Sequence, residues 1–355
     1  AIVEFVRQLS LRFEVHVYSF ANPEYQGKTV KLQNAHVRFL RAKWNDPIWK
    51  RFRFLFQAFY KDHRTMPFDL VHGMWAIPCG FFAVIAGKAI GIPSVVSFLG
   101  GETASIPSIP YGNMRSQPSR ALTLFTGRHA DAIVTLSEFQ LLQLHQQNID
   151  WPQAVTIPFG ADTSKFKPRR ALRLKLPYRF IHVANLTEVK DQVTLLKTFK
   201  ELCSDFDCRL RIIGADFLNG ALQELTRTLK LEDKVEFLGF IRHEELPKYY
   251  RTAHIMLHTS LHEAEGVSIV EALASGLVVC GTKVGILSDL ETVTISVDPG
   301  DYKGLAYRIK QLLHDKRQFS SLRQRGLSWA IQHDQRWTIE NMSVIYERLL
   351  TRTAS

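Results

Sequence analysis

The sequence predicts an α/β protein of two doubly wound parallel-sheet domains with a cleft between them. Three observations predict it. Short runs rich in Val, Ile or Phe alternate with helical stretches at the spacing of βαβ units, the pattern of parallel sheets covered by helices. The chain has 355 residues, enough for two domains. A proline-flanked, charged stretch without core periodicity, FKPRRALRLKLP, interrupts the alternation near the middle. The expected division is an N-terminal domain over 1–165, a linker over 166–177, a C-terminal domain over 178–335, and a closing helix over 336–355 that packs back on the N-terminal domain. Ligands of open α/β sheets bind at the carboxyl ends of the strands, so the cleft is where a site is expected.

The chain opens inside an amphipathic helix, with Ile2, Phe5, Val6 and Leu9 at helical spacing. No initiator Met and no strand precede it, so the sequence is expected to begin after the natural first strand of its sheet. Strands follow at 14–20, 37–40, 70–72, 94–98, 132–136 and 154–157 in the first half. In the second half they fall at 178–183, 209–213, 234–238, 255–258, 278–282 and 294–297. Between the second and third strands lies a helix over 48–64. Its residues Ile48, Trp49, Phe52, Leu55, Phe56, Phe59 and Tyr60 share one arc, with Lys50, Arg53, Lys61 and Arg64 opposite. That pattern predicts a buried apolar arc with a solvated basic face; the alternative is contact with an anionic membrane surface. The most apolar run, 77–86, reads as a core helix and falls short of the ~18 residues of a membrane span.

Composition narrows the function classes. Hydrophobic residues make up 46% and charged residues 22%, ordinary for a soluble globular protein. The formal charge of +11 calls for an electronegative partner: nucleic acid, anionic lipid headgroups or a phosphorylated substrate. No block of like charge dominates, which argues against a nucleic-acid-binding tail. Cys79, Cys203, Cys208 and Cys280 contain no CxxC pair and read as reduced thiols of a cytoplasmic protein. Its outermost expected position is peripheral, at the inner face of the membrane.

The chemistry concentrates in HEAEGVSIVEALASGLVVCGTKVG, which starts at His262. A buried strand precedes this stretch, a helix starts near Gly266 and runs to Ser275, and Gly276 follows where a C-terminal glycine belongs. The helix start offers unpaired N–H groups and the positive dipole end, which suit a phosphate. Glu271, one to two turns in, can accept hydrogen bonds from vicinal hydroxyls, and Glu263 lies on the loop before the helix. Together they suggest a nucleotide-sugar site. Other motifs are absent: neither GxxxxGK[ST] nor GxGxxG occurs, and no GxSxG surrounds Ser137. His254, His258 and His262 are four apart, but strand geometry at 255–258 does not gather them as metal ligands.

The C-terminal half resembles the nucleotide-sugar-binding domain of GT-B glycosyltransferases of the retaining family 4. It does so through HVANLTEVKDQVTLLKTFKEL, LRIIGAD, VEFLGF, ELPKYYRTAHIMLHTSLHEAEGVSIVEALASG, VVCGTKVG and VDPGD, in the family's order. The N-terminal half is similar through DLVHGMWA, GIPSVVSFLGGE, ADAIVTLSEFQ and VTIPFGADTSKFKP. The resemblance implies two Rossmann-like domains and transfer of a sugar from a nucleoside diphosphate to an acceptor hydroxyl. It implies that Glu271 binds the ribose and that Glu263 faces the sugar and its reacting carbon. Backbone N–H groups of Gly266, Val267 and Ser268 would meet the diphosphate, Lys190 would neutralise the leaving group, and Phe240 and Ile241 would frame the base. Gly100, Gly101 and Glu102 fall on the acceptor side.

Besides lacking the family's glycine-rich loop after the first strand, the sequence departs from the family at two places. Ala184 and Asn185 replace a glycine–arginine pair, leaving the Asn185 amide as a donor, and Leu99 replaces a histidine near the reacting centre. The implied partners are a nucleotide-sugar donor and a saccharide or lipid-linked acceptor, with peripheral contact to an anionic membrane and no nucleic acid. No cofactor is expected, because a lysine and a helix end supply the charge stabilisation. The rivals are a nucleotide-sugar epimerase on the same scaffold and a pseudoenzyme that binds the donor without transfer.

Overall fold

A computed structural model describes residues 2–20, 23–43, 45–168 and 174–353. Seven strands belong to the first half: β1 His16–Ser19, β2 Thr29–Leu32, β3 Ala35–Phe39, β4 Val71–Met74, β5 Ser94–Phe98, β6 Ala132–Thr135 and β7 Ala154–Thr156. The second half contributes β8 Tyr178–Val183, β9 Cys208–Ile213, β10 Val235–Gly239, β11 Ile255–His258, β12 Val278–Thr282 and β13 Ile295–Val297. All twelve expected strands are present, most shifted by a residue or two at their ends. The addition is β2, which pairs antiparallel with β3. Its TVKL alternates outward and half-buried positions, too little apolar character to register as a core strand.

The C-terminal domain is one six-stranded parallel sheet, ordered β10-β9-β8-β11-β12-β13. Its order reverses between β8 and β11, the switch point at which an α/β sheet opens a crevice. The first half forms two hydrogen-bonded sheets, β1-β3-β2 and the parallel β4-β5-β6-β7. The helix Ile2–Leu9 and the closing helix Gln335–Thr353 bridge them. Phe5, Val6 and Leu9 share one core with Val95, Val134, Ile339, Met342, Ile345 and Leu349. Tyr346 on the closing helix places its hydroxyl 2.6 Å from His72 Nδ1. Of the proposed linker, 169–173 lies outside the described residues, as do 354–355 of the closing helix. Phe166, at the start of that stretch, is 1% exposed and packs in the C-terminal core against Tyr250.

Two helix expectations resolve differently. The basic amphipathic helix spans Ile48–Thr65 and buries Leu55 and Phe59 against Phe20, Leu40 and Phe82. Its first residues, Ile48 and Trp49, stay exposed. The core helix at 77–86 is corrected: a tight turn over Ala76–Gly80 comes first, and the helix is Phe81–Ile90. Pro78 lacks an N–H and constrains its predecessor, and Ile77 accordingly has extended angles, φ −136° and ψ 134°. Among the described residues, no helix is long and apolar enough to cross a membrane.

Candidate active site

Strands β4 to β7 and β8, β11 send their carboxyl ends into a common cleft of about 400 Å³. From the C-terminal domain come Asn185, Lys190, His258, Glu263, Glu265 and the residues 266–268. The facing wall is apolar, with Trp75, Leu99, Leu136 and Phe159 among its members. Domain-to-domain hydrogen bonds close the back of the cleft. Ser137 Oγ donates to the Ala264 carbonyl (2.5 Å), and the Glu138 and Phe139 N–H groups donate to Asp289 (2.8 and 3.1 Å).

Glu263 is the centre of the polar side. Its Oε1 receives Lys190 Nζ at 2.6 Å, His258 Nε2 at 2.7 Å and the Ser260 hydroxyl at 2.6 Å. None of these contacts falls on Oε2. Burial opposes ionisation here, but the Lys190 charge and the His258 hydrogen bond outweigh it and hold the carboxyl well below its usual range. The lysine is steered by its loop: the Leu261 N–H donates to the Val189 carbonyl (2.8 Å) and the Thr259 hydroxyl to that of Asp191 (2.9 Å). Asp191 then caps the next helix by accepting from the Thr194 N–H.

The helix that follows Glu263 spans Val267–Ala274, and Gly266 stands before it at φ 91°. At that φ an L side chain is strained, so the turn into the helix calls for glycine. The turn leaves the backbone of 266–268 lining the cleft, where an anion would meet the helix N-terminus. On the buried side of this helix Glu271 accepts from His243 Nε2 (2.6 Å) and the Tyr250 hydroxyl (3.2 Å). The bond to Glu271 raises the His243 imidazole above its usual value.

The remaining residues with implied roles are spread differently. Asn185 is exposed at the cleft, its Oδ1 accepting the Ala215 N–H (3.3 Å), which leaves the amide nitrogen for a ligand. Phe240 is 71% exposed, while Ile241 packs partly into the C-terminal core. Glu102 is not among the residues lining the cleft. It is 2% exposed, and its carboxylate accepts the N–H groups of Ala76 (3.3 Å), Leu99 (3.4 Å) and Gly100 (2.7 Å). It therefore ties the turn after β4 to the turn after β5, with Gly100 inside that tie and Gly101 packed against Tyr111. The three histidines do not converge. His254 bonds Arg179, His262 bonds Gln143, and His258 alone joins the site.

Several residues at the site carried no usable sequence signal: His243, Tyr250, Trp75 and Glu265. His258 was visible as the end of a strand and as one of three histidines four apart, neither of which pointed to Glu263. Trp75 leaves β4 at φ 65° and ψ 145°, angles that side chains other than glycine rarely adopt and that cost about 1–3 kcal/mol.

Glu265 is the opposite of its neighbour. Burial pushes its carboxyl up to about 8; it accepts the Phe159 N–H (3.1 Å), and its Oε2 is buried without a partner among the described residues. A carboxyl raised in the folded state holds its proton there while the unfolded chain has lost it. Stability therefore declines as pH rises from about 4.5 towards 8. Glu265→Gln keeps the acceptor and removes the charge. It is expected to raise the Tm at pH 8 by an amount equivalent to a few kcal/mol, with little change at pH 5. Equal Tm shifts at both pH values in thermal denaturation would refute this.

Comparison with known proteins places the two halves. Residues 2–160 match the model of the glycosyl transferase 4-like domain, and residues 164–329 match that of glycosyl transferases group 1. The chain is 25% identical over 260 residues to N-acetyl-alpha-D-glucosaminyl L-malate synthase of Bacillus anthracis, covering 70% of this chain and 66% of the relative. Two further curated relatives are matched over only 34% and 35% of their length. Among solved structures, sucrose-phosphate synthase from Thermosynechococcus elongatus superposes with a TM-score of 0.81 at 18% identity, covering 98% of this chain and 92% of that one. Anabaena HepE in complex with UDP-glucose gives 0.75 at 20% identity, covering 97% and 94%. With both halves matched in order and the fold shared throughout, the chain belongs to the GT-B glycosyltransferases, its N-terminal half to the glycosyl transferase 4-like family and its C-terminal half to glycosyl transferases group 1.

Proposed function

We propose that the chain transfers a sugar from a nucleoside diphosphate sugar to an acceptor hydroxyl, with retention at the anomeric carbon. The observation that carries this reading is the Lys190–Glu263–His258 cluster beside the N-terminus of the helix Val267–Ala274. Lys190 and the N–H groups of 266–268 hold the diphosphate, where negative charge grows as the bond from the anomeric carbon to the phosphate oxygen breaks. The acceptor oxygen bonds to that carbon on the same face, and its proton passes to the departing phosphate oxygen. Ionised Glu263, fixed through Oε1, orients the sugar with its other oxygen. Glu271 accepts from the ribose, and the Asn185 amide donates to the phosphates. Phe240 and Ile241 border the base.

The acceptor is a saccharide or a lipid-linked acceptor. Peripheral attachment to an anionic membrane, at its cytoplasmic face, is supported by exposed Ile48 and Trp49 at the start of a helix whose Arg53, Lys61 and Arg64 are also exposed. A thermal-shift series with UDP, GDP, ADP and their sugars tests the donor. One nucleotide is expected to raise the Tm by several degrees at a hundredfold excess over its Kd, equivalent to about 2.7 kcal/mol. If none shifts the Tm, the nucleotide-sugar reading fails. Product formed without any acceptor would move the assignment to epimerisation, and binding without transfer across an acceptor panel would move it to a pseudoenzyme.

A further inference from the structure

We propose that Glu14, His16 and His36 form a binding site for a divalent transition metal of the zinc class, on the face of the first sheet and separate from the cleft. It stands independently of the nucleotide-sugar reading.

The site follows from the pairing of two strands. β1 and β3 run parallel, with His16 directly opposite His36. Side chains of directly paired residues leave a sheet on the same face, so the two imidazoles stand side by side. Their rings stack at 5.0 Å between centroids and 17° between planes. Glu14, just before β1, brings its carboxylate to the same place, with Oε1 3.4 Å from His16 Nε2. One donor atom from each of the three lies within 4.8 Å of the others. Zinc bonds nitrogen and oxygen at about 2.0–2.2 Å, so tetrahedral ligands stand roughly 3.4 Å apart, and small side-chain rotations close the difference. Two imidazoles and a carboxylate are the donor set of zinc sites that keep a water in the fourth position.

The surroundings leave these donors free. Among the described residues the His36 ring makes no hydrogen bond, and the His16 ring makes one, to Glu14. Each imidazole, when neutral, offers one lone pair. Both rings line a cavity of about 170 Å³ under the end of the helix Ile48–Thr65, which is room for the metal's water. Nearby charges are matched elsewhere. Asp62, across the cavity, accepts from the Tyr18 hydroxyl (2.8 Å) and pairs with Arg38 (2.9 Å). Lys31 lies opposite His36 on β2 but is exposed, where water screens it. Glu14 is therefore the anion of the site. This cavity shares no lining residue with the cleft, so the metal is structural: it ties the segment before β1 to β1 and β3. Its binding free energy adds to the stability of that sheet.

The full chain, stripped with EDTA and exchanged into chelator-free buffer, is titrated by calorimetry with Zn²⁺ and, separately, with Mg²⁺. One Zn²⁺ per chain is expected in the tightest step, with no matching step for Mg²⁺, which prefers all-oxygen ligands. His16→Gln and His36→Gln should each weaken the zinc step by about tenfold or more, the scale of losing one ligand. His145→Gln, an exposed histidine elsewhere, should leave it unchanged. Without metal the variants should melt with the parent, and saturating Zn²⁺ should raise the Tm of the parent alone. Co²⁺ gives a second readout: the intense visible bands of a four-coordinate ion should appear with the parent, weaken with Glu14→Gln and vanish with His36→Gln. Absence of a zinc step overturns the proposal, as does a step that His16→Gln or His36→Gln leaves intact, or an equal response to Mg²⁺.

Discussion

Lys190→Gln is expected to lower kcat for sugar transfer by about 10²–10³-fold, the usual cost of removing one preorganised charge from a developing oxyanion. Ground-state nucleotide affinity should fall far less, because the helix N-terminus still meets the diphosphate. A second effect follows from the pairing. Glu263 is buried, and it stays ionised because Lys190 and His258 outweigh that burial. Without Lys190 its carboxyl titrates upwards, so the residual rate should fall as pH drops, in a range where the parent enzyme is flat. The parent's own Glu263 pairing has the opposite sign to that of Glu265. It contributes stability above the unfolded value near 4.5, which is lost as pH falls through the depressed folded value. The check is steady-state kinetics from pH 5 to 8 on both proteins. A variant that raises KM alone, with kcat and its pH profile unchanged, would remove Lys190 from the transition state.

Glu271→Ala is expected to weaken nucleotide binding by about 10–100-fold, since a hydrogen bond to a charged group contributes about 1.5–3 kcal/mol. The carboxylate is preorganised by two partners, the His243 ring at 2.6 Å and the Tyr250 hydroxyl at 3.2 Å, and each of its oxygens retains a lone pair for a ribose hydroxyl. Truncation also leaves Tyr250 with a weaker partner, the Ser268 carbonyl at 3.3 Å, so some loss of Tm accompanies it. Glu271→Gln separates the two effects. It keeps the shape and should recover most of the Tm, while affinity for the nucleoside diphosphate in calorimetry stays reduced. Unchanged affinity in Glu271→Ala would take the residue out of the site.

The sequence by itself determined the alternation of strands and helices, the strands of both halves and the phosphate-ready turn at Gly266. Those features are local: they depend on period-2 and period-3.6 patterns and on glycine conformation, which neighbouring residues specify. It also placed Glu263, Glu271 and Lys190 in one domain, through the order of the motifs. It missed β2, whose outward face carries little apolar signal, and the break at Pro78, where hydrophobicity ran on through a turn. Tertiary structure alone decided who touches whom. Lys190 and Glu263 are 73 residues apart and meet because β8 and β11 are neighbours at the switch point. His258 became a partner of Glu263 rather than a metal ligand for the same reason. Glu102 turned out to be an internal brace, because three backbone N–H groups reach it inside the first domain. Glu263 and Glu265 stand two positions apart and are chemically alike, yet one is held ionised and the other protonated. That difference comes from the lysine and histidine brought to one and the burial of the other, which no local pattern encodes.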